Sequence, residues 1–159
     1  MQRSKLDPLI MASYESMYRL AFTYVKNRDD AMDIVQEAVC RAIANAHTVK
    51  KETAAKCWLM SITANCARNL LQKKAKDYPE ENLPEAEAAD HYPDPDLAAA
   101  LNRLTDTERT ILVLRYFEDI RIKDIADALN LNESTVKSTL YRSLKKLKID
   151  LQEGDFTDE

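Results

Sequence analysis

One glycine in 159 residues limits what this chain can fold into more than any other feature. A sheet needs tight turns between its strands, and those turns call for positive φ, which Gly supplies at least cost. Strict alternation of apolar and polar residues is scarce as well, so the chain reads as all-α. One segment then divides it. Asp77 to Asp96, DYPEENLPEAEAADHYPDPD, holds four of the five prolines and eight acids. Such a stretch cannot bury a core and is expected to be extended or mobile. The expected organisation is two small helical domains, residues 5–76 and 97–150, joined by an acidic linker, residues 77–96.

Charge follows the same division. The net charge is −4, yet residues 1–76 carry +6 and residues 97–150 carry +2. The linker carries −8 and the tail 151–159 carries −4. The two domains are basic, which suits an anionic partner. No apolar run approaches the roughly 18 residues of a membrane span. The N-terminus lacks the apolar core of a signal peptide, so a cytoplasmic protein is expected. Cys40, Cys57 and Cys66 show no CxxC or Cys/His spacing and read as reduced thiols of a helical core. His47 and His91 lie in polar segments and read as solvated. No Gly-rich phosphate loop, metal constellation or Ser/His pair is visible. No catalytic residue, metal or cofactor is therefore expected.

The last third reads as a helix-turn-helix. Thr105 and Glu108 form a T-x-x-E capping box for a helix to about Phe117. A second helix spans Ile122 to Leu129, with Ile122, Ile125, Ala126 and Leu129 on one stripe. Asn130 then occupies the position where a helix turns off through a left-handed residue. Asn132 opens the last helix, with Glu133 favourable to the helix dipole. At about 100° per residue, Val136, Leu140, Leu144 and Leu147 share one side of it. Lys137, Ser138, Tyr141, Arg142 and Lys145 share the other. Cations, a hydroxyl and an aromatic on one face suit a helix laid in a DNA major groove.

The first domain reads as three helices. The first runs from about Leu6 to Lys26, with Leu9, Tyr14, Met17, Leu20, Ala21 and Tyr24 available for burial. The second runs from about Asp29 to Ala46, its apolar side formed by Ala31, Ile34, Val35, Ala38, Val39, Ala42 and Ile43. Asp30, Asp33, Gln36, Glu37 and Arg41 fall on or beside its outer side. A polar, lysine-bearing loop follows from Asn45 to Ala55. The third helix runs from about Lys56 to Lys76. Leu59, Ile62, Thr63, Cys66, Ala67, Leu70 and Leu71 span its apolar side. Trp58, Asn65, Arg68, Asn69 and Gln72 form a polar stripe, and Lys73, Lys74 and Lys76 cluster at its end. Amides, a guanidinium and an aromatic so aligned can bond base edges and stack on exposed bases.

These motifs resemble those of the extracytoplasmic function group of bacterial sigma factors, within the sigma-70 family. NRDDAMDIVQEAVCRAI (Asn27–Ile43) and WLMSITANCARNLLQKK (Trp58–Lys74) resemble the two halves of sigma region 2. LTDTERTILVLRYFEDI (Leu104–Ile120) and IKDIADALNLNESTVKSTLYRSLKKLK (Ile122–Lys148) resemble region 4. Some positions depart from the family pattern. Asn69 stands where the family often has Asp, and Gln72 where it often has Arg. Arg121 replaces a Ser cap, Thr139 a frequent Arg, and Asn130 a Gly. All five lie in what the resemblance marks as base- or phosphate-facing neighbourhoods.

The resemblance implies a non-catalytic factor that binds core RNA polymerase, directs it to −35 and −10 promoter elements and assists melting. Asp33, Ile34, Gln36 and Glu37 would meet the clamp helices of the largest subunit, with region 4 on the flap of the second. Trp58, Asn65, Arg68, Asn69, Gln72 and Lys73 would read the −10 element. The loop Asn45 to Lys56 would hold a flipped base. Lys137, Ser138, Tyr141 and Arg142 would reach the −35 element, with Arg115 and Lys123 on phosphates. The acidic linker would lie in the RNA-exit channel. Partners implied are core polymerase, promoter DNA and an anti-sigma factor of the kind often anchored in a membrane. The alternative is a helix-turn-helix regulator not associated with core polymerase, which leaves the Asn27–Lys74 motifs unexplained.

Overall fold

The structure is a computed structural model that describes residues 2–77 and 95–154. The chain divides into two compact units. Among the described residues every regular element is helical. The expected extended linker lies largely outside the described residues. Its two ends are helical instead: Asp77 closes one helix, and Pro95 and Asp96 open another. Proline is tolerated in a first turn, where its missing N–H leaves no bond unmade.

The first unit contains α1 (Arg3–Val25), α2 (Arg28–Ala44) and α3 (Ala55–Asp77). Leu6, Met17, Leu20, Ala21, Val35, Leu59 and Met60 fill its core. Of the residues expected to be buried on α1, Leu9 is only half-buried. Tyr14 is exposed, with its hydroxyl 3.9 Å from Met32 Sδ. α1 ends on Lys26 in the left-handed region, φ 61°, with its N–H on the Phe22 carbonyl at 2.8 Å. Asn27, which lies between the two helices expected from the sequence, caps α2. Its side-chain oxygen accepts from the Asp30 N–H at 2.8 Å, and its Nδ2 donates to the Val25 carbonyl at 3.2 Å. The segment expected as a loop holds two 3₁₀ turns, Ala46–Thr48 and Glu52–Ala54. Buried Ala46 and Val49 pin it.

The second unit contains α4 (Pro95–Asn102), α5 (Asp106–Leu112), α6 (Ile122–Leu129) and α7 (Glu133–Gly154). α4 begins within the segment expected as linker, and its Ala100 and Leu101 are buried. The helix begun by α5 reaches Phe117 as expected, but Val113–Phe117 is a π turn closed by the Glu118 N–H on the Val113 carbonyl at 3.0 Å. Ile111, Leu112, Val113 and Leu114 are buried in succession, so the middle of this helix is covered on every side, while Tyr116 and Phe117 at its end are exposed. α6 has the expected bounds. Asn130 is left-handed, φ 56° and ψ 48°. The Leu131 N–H bonds the Ala126 carbonyl at 2.9 Å and the Asn130 N–H the Asp127 carbonyl at 3.4 Å. This 6→1 and 5→2 pair is a Schellman ending that re-aims the chain in two residues. Asn132 then gives its carbonyl to the Val136 N–H at 3.0 Å as α7 begins.

The turns among the described residues do not use glycine. Among the described residues, the positive-φ positions are Lys26, Asp119 and Asn130.

Candidate functional site

α2 and α3 form the candidate surface of the first unit. Asp33, Gln36 and Glu37 are exposed along α2, and Glu37 accepts from Arg41 Nε at 3.0 Å. Ile34 is different. It is only 2% exposed, because it lies on the stripe of Ala31, Ala38 and Ala42. In the free chain it is part of the core beneath α2. Asp33, Ile34, Glu37 and Arg41 line one wall of a groove of about 390 Å³. Cys66, Asn69, Leu70 and Lys73 of α3 line the other. Cys66 is buried, and desolvation raises its thiol pKa, with Arg41 lowering it and Glu37 raising it. Cys57 is buried too, but Cys40 is exposed. The expectation of three core thiols fails at Cys40, which lies opposite the alanine stripe of α2.

On α3, Asn65, Asn69, Gln72 and Lys73 are exposed, while Trp58 and Arg68 are half-buried. Arg68 donates to the Asn65 side-chain oxygen, so the guanidinium and amide are already joined. The exposed strip is narrower than expected. Cys57, Met60, Ser61 and Ala64 are buried, because α3 packs on both α1 and α2. Lys74 leaves the expected lysine cluster and pairs with Asp30. Asp30 also accepts from Asn27 Nδ2 at 2.9 Å. Burial alone would raise the Asp30 pKa, but the bonds from Lys74 and Asn27 bring it below its ordinary value.

In the second unit, α7 turns Val136, Thr139, Leu140 and Ser143 inward. Lys137, Ser138, Tyr141 and Arg142 face out, with Tyr141 80% exposed. Thr139 is 5% exposed; its backbone carbonyl accepts from the Ser143 hydroxyl at 2.6 Å. The expectation that its neighbourhood faces DNA is therefore corrected, since the residue lies on the core side of α7. Lys123 is exposed on α6. Arg115 is half-buried, 3.3 Å from Asp119 and 5.9 Å from the centre of the Tyr116 ring. Arg121 precedes α6 without a side-chain cap bond and pairs with Asp124 at 3.2 Å.

Glu108 holds this unit together in a way the capping box did not reveal. The box is present: the Thr105 N–H donates to Oε1 at 2.9 Å and the Glu108 N–H to the Thr105 hydroxyl at 3.3 Å. Across the unit, Arg142 Nε donates to Oε2 at 3.2 Å, and Lys146 Nζ reaches both oxygens at 3.0 and 2.9 Å. Burial would raise the carboxyl pKa. Bonds from the Thr105 N–H, Lys146 and Arg142 overcome it and lower the pKa from 4.5 to about 2. A depressed pKa contributes stability above the unfolded value and loses it as pH falls through the folded one. Glu108→Gln is therefore expected to cost on the order of 2 kcal/mol at pH 7, discounted because Arg142 and Lys146 are partly solvated. The difference should shrink between about pH 4.5 and 2. Urea denaturation of both proteins at pH 7 and pH 3 checks this, and a gap that ignores pH would contradict it.

Among the described residues no helix is long and apolar enough to cross a membrane. Comparison with known proteins agrees with this geometry. Residues 9–77 match the sigma-70 region 2 family and residues 96–147 match the family described as sigma-70, region 4. The RNA polymerase sigma factor SigV of Bacillus subtilis (strain 168) is 40% identical over 148 residues, covering 90% of this chain and 89% of that protein. The ECF RNA polymerase sigma factor SigX of the same strain is 28% identical over 150 residues, covering 85% and 77%. The fold is also that of the sigma factor RpoE of Bartonella quintana, solved with the anti-sigma factor NepR. The TM-score is 0.79 at 20% identity, over 97% of this chain and 98% of that one. The region 2 match over residues 9–77 disfavours a regulator that works apart from polymerase. This chain belongs to the extracytoplasmic function group of the sigma-70 family and is an alternative RNA polymerase sigma factor.

Proposed function

We propose that the two units divide promoter recognition between them. Residues 5–76 bind core polymerase and read the −10 element, residues 97–150 read the −35 element, and residues 77–96 connect them as an acidic linker. Asp33, Gln36 and Glu37, backed by Ile34, dock on the clamp helices of the largest subunit, as an acidic face on an apolar base suits a basic helix. The flap of the second subunit receives the C-terminal unit. Trp58, Asn65, Arg68, Asn69, Gln72 and Lys73 read the −10 element. Lys137, Ser138, Tyr141 and Arg142 enter the −35 major groove, with Arg115 and Lys123 on phosphates. The chain itself performs no catalysis and uses no cofactor. It works in the cytoplasm, and an anti-sigma factor, such as the NepR solved with Bartonella RpoE, holds it inactive, in some settings at the membrane.

The observation that carries this reading is the exposed face of α7 behind a Schellman turn, in one chain with an acid face on α2 and an amide stripe on α3. Its test is transcription by the holoenzyme over single-base variants of both elements. Asn69→Ala is expected to change −10 preference and leave −35 preference alone. Lys123→Ala is expected to weaken all promoters about equally, since a phosphate contact carries no sequence information. Asn69→Ala altering only −35 preference would reverse the assignment of units to elements.

A further inference from the structure

Glu108 and Arg142 are far apart in sequence, on α5 and α7, and their contact has a particular form. Arg142 meets the carboxylate through Nε. Its side chain is 59% exposed, whereas that of Glu108 is 3% exposed. Among the described residues, the pairing leaves the Nη1/Nη2 edge of the guanidinium unpaired. That edge presents two parallel donors, which match the O6 and N7 acceptors of one guanine. An unrestrained arginine must give up considerable rotamer freedom to deliver both donors at once. Here the Nε end of the guanidinium is tethered beforehand, at 3.2 Å, to a carboxylate that is itself held by the Thr105 N–H at 2.9 Å. Lys146, on both carboxylate oxygens, leaves the three-residue cluster with a net positive charge. The buried acid therefore does not repel the phosphate backbone.

We infer that Glu108 is a positioning residue for base readout: by holding Nε of Arg142 it aims the Nη edge outward for bidentate recognition of a guanine in the −35 element. The inference rests on the proposed placement of Arg142 at that element. Other residues of α7 meet the remaining −35 positions, and the Glu108–Arg142 pair supplies discrimination at one base pair.

The test uses holoenzyme assembled from core polymerase and the full chain, transcribing promoters that carry each base pair at each −35 position. Arg142→Ala is expected to erase the preference for G·C at one position, a loss of roughly 5- to 150-fold in discrimination. Glu108→Gln keeps an acceptor for the Thr105 N–H. It is expected to reduce discrimination at that same position by roughly three- to tenfold while the other −35 positions keep theirs. A carboxylate with only a structural role would weaken every −35 position together, and that outcome overturns the inference. So does wild-type discrimination in Glu108→Gln. If Arg142→Ala changes no −35 position, the placement of Arg142 is itself wrong and the inference falls with it. A measurement on the unmutated chain stands apart from any folding defect. The Arg142 Nε–H is expected to exchange with water at least about tenfold more slowly than in a short unstructured peptide. Exchange at the peptide rate would overturn the inference.

Discussion

Asp33→Lys combined with Glu37→Lys is expected to abolish co-elution with core polymerase, weakening the complex by about 100-fold or more. Both carboxylates are exposed on α2, and reversing two charges turns attraction to a basic partner into repulsion. The fold should survive. The one intramolecular pair lost among the described residues is Glu37 with Arg41, at 3.0 Å, an i,i+4 pair worth about 0.2–0.5 kcal/mol. Size-exclusion chromatography with core polymerase, alongside circular dichroism of the free chain, separates docking from folding. Wild-type co-elution of the double variant would show that α2 docks through another face.

Leu59→Ala is expected to have the largest effect on stability, about 2–5 kcal/mol. Leu59 is fully buried on α3, and α3 packs on both α1 and α2, so the vacated volume cannot be filled by one helix moving. Such a cost is a large share of the roughly 5–15 kcal/mol that holds a small domain folded. Trp58, the only tryptophan, sits beside it and reports on this unit. Its fluorescence should show the urea midpoint falling steeply. A shift equivalent to less than about 0.5 kcal/mol would mean that this core is not packed as described.

How far the sequence could be read depended on how local each cause was. The Schellman turn at Asn130 and the capping box at Thr105 and Glu108 were legible because their patterns span six residues or fewer. The faces of α2 and α7 were legible because helical period alone separates Ala31 from Asp33 and Val136 from Lys137. Failures came where a second element decided the outcome. Period placed Lys74 in a basic cluster, but Asp30 at the start of α2 claims it. Glu108 was visible as a cap, not as the partner of Arg142 and Lys146, because no local pattern records a contact across 34 or 38 residues. Helix α3 has more buried positions than its apolar stripe suggested, since two helices cover it. Thr139 looked surface-facing through likeness to an arginine, although its position beside Leu140 and Ser143 turns it inward. The π turn at Val113–Phe117 had no signal in residue type. Helix α4 was hidden by the proline and acids that open it.

Run-off transcription with purified core polymerase over a library randomised in both promoter elements tests the central claim most directly. Transcripts are expected only when the chain and core polymerase are both present, from templates sharing a −35 and a −10 element. The chain alone is expected to bind duplex DNA weakly. Template-specific transcripts that arise without the chain would contradict the assignment. So would tight, sequence-specific DNA binding by the free chain with no transcript from the holoenzyme.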